Sequence, residues 1–181
     1  EGVLKIKDYF TDVKYIHMAA SNGVLNYELG LCNYVRPGLI LYGFPSNKSC
    51  IDKIKLEPVV SFKSKISFIK NICEGDSIGY GRSFVSDREL VVATVSCGYA
   101  DGVRRELSNK GYVTIGGRRC KILGKVCMDS FMVDVTGVKN VAVGDDVYIF
   151  DGKNVTVDEI ARICDTINYE ILTGIGDRVR R

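Results

Sequence analysis

Tryptophan is absent from these 181 residues, and histidine and proline are scarce, with one and three copies. The single histidine, His17, leaves too few imidazoles for a histidine-built metal centre. Seven cysteines without one C-x-x-C pair do not make a thiolate centre either. Their odd number and scatter point to free thiols in a reducing cytoplasm. No apolar run approaches the ~20 residues of a membrane-spanning helix. Charge of one sign is not concentrated anywhere: 25 Lys and Arg face 22 Asp and Glu, a net +3, so no footprint for nucleic acid or an anionic membrane is expected. The opening EGVLKIKDYF is charged throughout and is no secretory signal peptide. It also lacks an initiator methionine and starts in mid-pattern, as a fragment of a longer protein is expected to.

What is present divides into two parts. DVKYIH (12–17) leads into the small residues MAASNG, and YVRPGLILYGFP (34–45) is a second β-rich run with an Arg-Pro-Gly turn. A short helix is expected between them over VLNYELGLC, giving the strand–helix–strand order of a βα-barrel or parallel sheet. Past Leu56 the pattern changes. VSFKSKISFI alternates apolar and polar residues, as a half-buried antiparallel strand does. ELVVATVSCGYADG, GYVTIGGRRCKILGKVCMDSFMVDVT and DDVYIF supply four or five further strands with glycine-rich turns, the signature of a compact β-barrel or sandwich. One helix is expected near the end, opened by a Thr156–Glu159 capping box and carrying Ile160, Ile163 and Ile167 on one face. The joint between the parts is expected within SNKSCIDKIKLEP (46–58). The fold class is therefore mostly β.

GDSIGYGRSF (75–84) sets Tyr80 between two glycines, where a phenol either fills a turn or is presented to a cleft. With HMAAS (17–21), VRPGLILYG (35–43), IGYGRSF (78–84), GYADGVRR (98–105), GKVCMDSFMVDVT (124–136) and TINYEILTGIGDRVRR (166–181), the chain resembles the C-terminal portion of the alanine racemases, enzymes dependent on pyridoxal phosphate (PLP). The motifs stand in the family's order and cover nearly the whole chain. The resemblance implies that residues 1–56 are the last βα units of a truncated TIM barrel and that residues 57–181 are the family's β-domain.

It also implies roles. Ser21 and the Gly38–Leu39 backbone would hold the cofactor phosphate, in the loops where such barrels bind it. Tyr169 would contact the phosphate and narrow the entrance. Arg36 would donate to the pyridine nitrogen without giving up its proton, which makes the cofactor a weaker electron sink. Tyr80 would be the second catalytic base, serving the cofactor of the partner subunit, opposite the face served by the family's PLP lysine. A phenol titrates near ~10, so this work near neutrality needs cationic neighbours. Tyr99 and Arg105 would line the entrance corridor, and the Met128 backbone would approach the substrate carboxylate. Asp101 and Asp129 would cap turns, Cys127 would be a small buried residue, and His17 a structural histidine. A homodimer sharing its active sites follows from these roles.

The chain departs from the family pattern at Ser130, Lys125 and Arg180, where glutamine, arginine and proline are common. No lysine here stands in a context like the family's K-x-x-A-Y-G-H-G, so these residues alone are expected to be inactive. The function implied is interconversion of L- and D-alanine for peptidoglycan, in the cytoplasm. The alternatives are a serine racemase of the vancomycin-resistance type, which Tyr169 argues against, and a non-enzymatic partner-binding β-domain. A single-barrel PLP carrier lacks the appended β-domain.

Overall fold

The computed structural model describes Tyr9, residues 12–45 and residues 54–181. The sequence readings of the first ten residues, of Cys50 and of most of the joint at 46–58 therefore lie, wholly or largely, outside the described residues. The chain divides into two compact units, Glu1–Val59 and Val60–Arg181.

In the N-terminal unit β1 (His17–Ala20) and β2 (Tyr34–Arg36) pair in parallel, with His17 beside Tyr34 and Ala20 beside Arg36. The helix between them, α1, spans Ser21–Asn26, earlier than expected. Ser21 and Asn22 suit a first helical turn, and the Asn26 amide bonds back to the Asn22 side chain and carbonyl. Tyr27 then returns to extended geometry, so most of NYELGLC is not helical. After β2, Leu39–Tyr42 form a 3₁₀ turn ended by Gly43 in the left-handed region. His17 is exposed at the start of β1.

The C-terminal unit is a barrel rather than a sandwich. Its ring is β3 (Phe62–Ile72), β6 (Leu90–Val95), β9 (Phe131–Asp134), β8 (Arg118–Leu123), β7 (Tyr112–Ile115) and β10 (Asp146–Phe150), closed by β10 on β3. Every neighbouring pair is antiparallel. Ile66, Val95, Val113, Ile115, Ile122, Phe131, Val133 and Phe150 are almost wholly buried, and Phe62 meets Phe150 edge to face at 6.0 Å. The alternation of β3 does not run unbroken. A bulge between Ile66 and Phe68 shifts the register, which leaves Phe68 exposed and returns Ile72 to the core.

Two short strands, β4 (Ser77–Ile78) and β5 (Phe84–Val85), bracket the Tyr80 turn. The final helical region is two helices, not one: α2 (Val157–Ile163) and α3 (Asn168–Thr173). Thr156 caps α2 by accepting from the Glu159 amide at 3.1 Å. The Glu159 carboxylate does not complete the capping box; it turns to Arg119. Ile167 is exposed, because Asp165 takes a left-handed φ of 53° and ends the α2 face before the chain reaches it.

Candidate functional site

Tyr80 stands on a single 3₁₀ turn between Gly79 and Gly81, both in the left-handed region (φ 76° and 68°) that side chains rarely adopt. Its side chain is 76% exposed, so it is not a tyrosine packed on the core. The turn rests on the next motif: a Cβ on Gly79 would come within 3.0 Å of the Lys125 amide. Asn109 holds the two together. Its Nδ2 donates to the Ser83 carbonyl (2.9 Å), and its Oδ1 accepts from the Gly124 amide (2.6 Å). Ser108 Oγ accepts from the Val126 amide at 3.0 Å.

Tyr99 and Met128 are brought together directly. The Tyr99 amide donates to the Cys127 carbonyl (2.9 Å) and the Ala100 amide to the Met128 carbonyl (3.0 Å). Gly98 allows this approach, since any Cβ there would run into the carbonyl oxygens of both Cys127 and Met128. Asp101 does cap its turn, accepting from the Gly98 amide at 2.8 Å. Asp129 does not; it pairs with Arg178 at 2.8 Å. Cys127 is partly buried. Burial, and then the charge of Asp101, push the neighbouring Cys97 thiol up to about 12, so it stays protonated.

Arg105 lies exposed on a 3₁₀ turn, Arg105–Leu107. Tyr169 is the second residue of α3 and is 39% exposed. The helix is tied to the Arg105 segment by Arg104, whose Nη1 lies 2.8 Å from Glu170 Oε1. Tyr80, Tyr99, Arg105, Met128 and Tyr169 thus project from one connected set of loops. Asn109, Ser108 and Arg178 hold that set together and had escaped the sequence reading. The Asn-Lys-Gly run at 109–111, a turn-favouring composition whose asparagine takes a left-handed φ of 60°, was the available signal for the first.

Ser21, Arg36, Gly38 and Leu39 form the second group, in the N-terminal unit. The Gly38 amide donates to Ser21 Oγ over 2.9 Å, which joins the loops following the C-terminal ends of two parallel strands. Ser21 is buried, while Gly38 is exposed and Arg36 is exposed at the end of β2. Because its oxygen accepts from Gly38, the Ser21 hydroxyl keeps a proton to donate. The Leu39 N–H opens a 3₁₀ turn and so lies outside that turn's own bonding. A cavity of about 570 Å³ beside Thr114, Tyr148 and Asp151 contains none of these residues.

The chain thus combines a closed antiparallel barrel whose loops carry exposed tyrosines with a parallel strand–helix–strand unit that offers a hydroxyl and glycine backbone. The family model for the alanine racemase C-terminal domain matches residues 59–181, and the chain belongs to that family. The alanine racemase of Citrifermentans bemidjiense is 44% identical over 172 residues, covering 92% of this chain and 45% of the relative. That of Halothermothrix orenii is 39% identical and covers 100% of this chain and 48% of its own length. The chain thus spans about half the length of the curated relatives it matches.

Solved structures agree. Alanine racemase of Clostridium difficile 630 in complex with cycloserine superposes with a TM-score of 0.90 at 35% identity, over 97% of this chain and 47% of that one. The Bartonella henselae enzyme with covalently bound pyridoxal phosphate gives 0.85 at 32%, over 99% and 50%. The Bacillus anthracis enzyme with bound L-Ala-P gives 0.88 at 33%, over 98% and 47%.

Proposed function

We propose that this chain is the C-terminal part of a PLP-dependent racemase that interconverts L- and D-alanine and supplies D-alanine for peptidoglycan, in the cytoplasm. The observation that carries the reading is Tyr80: an exposed phenol fixed between two left-handed glycines, on a turn seated against the segment that leads to Met128.

The residues of the N-terminal unit fit the cofactor. Ser21 Oγ–H and the Leu39 N–H would donate to its phosphate, beside an exposed glycine that leaves room for it. Arg36 would donate to the pyridine nitrogen and would keep its proton. When bound, PLP draws electrons from the substrate α-carbon, which lets the α-proton leave. Racemisation needs a proton acceptor on one face of that carbon and a donor on the other. Tyr80 supplies one face, reaching the active site of the partner subunit in a two-fold dimer. The family's lysine supplies the other. Met128 offers its backbone to the substrate carboxylate, while Tyr99, Arg105 and Tyr169 shape the entrance. Without that lysine, the 181 residues alone racemise nothing.

The test is kcat/KM for L-alanine and L-serine, measured on the complete protein with PLP. A strong preference for alanine is expected, with Tyr169 narrowing the site. Equal or better turnover of serine moves the protein to the serine-type racemases, and turnover of neither overturns the reading.

A further inference from the structure

Arg178 has no part in the chemistry above, yet its guanidinium reaches two loops at once. Nη2 lies 2.8 Å from Asp129 Oδ1, and Nε lies 3.2 Å from Asp101 Oδ1. Asp129 directly follows Met128, and Asp101 comes two residues after Tyr99. The second oxygen of Asp101 accepts from the Gly98 amide, so the carboxylate passes the connection on to the backbone just before Tyr99. Arg178 itself rises from a turn fixed to the same loop, because the Gly176 amide donates to the Asp101 carbonyl at 3.2 Å. A Cβ on Gly102 would stand 2.6 Å from the Gly174 carbonyl oxygen, so these segments touch backbone to backbone.

We propose that Arg178 is a positioning residue: by bridging Asp101 and Asp129 it fixes the separation of Tyr99 from Met128, and with it how tightly the entrance holds the amino-acid substrate. This rests on the racemase reading given above. Two backbone hydrogen bonds join the Tyr99 and Met128 loops. They fix the loops along one short ladder. The Arg178 bridge adds a third point off that line. Its planar fork serves two acceptors at fixed angles, which the point charge of a lysine does not do. Arg178 and Asp129 are both more than half exposed, and ion pairs of that kind contribute little to folding stability, while Asp101, 14% exposed, still accepts from the Gly98 amide when Arg178 is lost. The effect therefore falls on loop geometry rather than on the fold.

The experiment compares Arg178→Ala, Arg178→Lys and Asp129→Asn in the complete protein with PLP. It reads KM and kcat for alanine, the denaturation midpoint, and hydrogen exchange at the Tyr99 and Ala100 amides. Arg178→Ala is expected to raise KM about tenfold and to speed exchange at both amides about tenfold, a change of roughly one broken charge-assisted bond. kcat and the midpoint should hardly move. Arg178→Lys should recover part of the KM. Asp129→Asn, which keeps the Asp101 arm, should fall between, and it carries the test if Arg178→Ala does not fold. An unchanged KM in Arg178→Ala overturns the proposal, even if exchange rises, because the bridge is then only a staple. Should the wild type turn over neither alanine nor serine, it is the racemase reading that falls, and the exchange rates alone then decide for or against the bridge.

Discussion

Gly98 lies so close to the Met128 carbonyl oxygen that no side chain fits between them. Its φ of −147° is ordinary extended backbone, so the requirement for glycine comes from contact and not from conformation. Gly98→Ala should force the two loops apart and cost about 2–3 kcal/mol, in the range of overpacked sites. Urea unfolding of the complete protein measures this. A loss below about 0.5 kcal/mol would show that the 127–130 loop yields freely.

Tyr80→Phe keeps the ring and removes the only atom able to carry a proton. Loss of a general base costs typically ~10²–10⁴-fold in rate. The variant should bind PLP normally by absorbance while turnover falls by that order. Near-normal rates in both directions would contradict the role given to the phenol.

Ser21→Ala removes a hydroxyl that accepts from Gly38 and keeps its own proton to donate. A hydrogen bond to a charged group contributes about 1.5–3 kcal/mol, so PLP affinity should fall roughly ten- to hundredfold. Titration of the complete apoprotein with PLP measures it, and an unchanged affinity would place the phosphate elsewhere.

Two carboxyls make the barrel acid-sensitive. Burial pushes Asp151 up, but the amides of Lys153, Asn154 and Val155 and the Asn154 side chain outweigh it and hold it at about 2. The Arg119 guanidinium bonded to Glu159 holds that carboxyl below its usual range. Both folded values lie beneath the unfolded ones. Their stabilisation is therefore complete only above about pH 5 and is lost as pH falls through the folded values, toward about 2 for Asp151. Asp151→Asn should cost on the order of 1 kcal/mol at neutral pH after solvent screening. The gap to wild type should close between about pH 5 and 2 in urea midpoints, and a gap constant with pH would remove the charge from the explanation.

The parts of this fold written in short-range pattern were legible. Alternation in the 60–69 run and the Val-rich 90–95 run marked strands, and paired glycines marked the Tyr80 turn. The family motifs gave Tyr99 an entrance role and Met128 a substrate-facing one, but not their direct connection through the backbone. What escaped depended on partners far along the chain. The bulge that turns Phe68 outward exists because β3 must satisfy both β6 and β10. Ile167 fits the helical spacing of Ile160 and Ile163, but Asp165 breaks the helix before it. Asn109 and Arg178 act through contacts 15 and 49 residues away, for which no local spacing rule exists.

The barrel's ring of strands has a further consequence. Each of its strands has a neighbour on both sides, so no strand of the ring presents a whole free edge to a second copy. Were a second copy to bind, side chains and loop tips would make up most of the contact. The turns bearing Tyr80, Tyr99 and Met128 are among the exposed tips of this unit. Recognition of self and handling of substrate would then draw on the same few residues, and a substitution that drifts in one of them is judged twice.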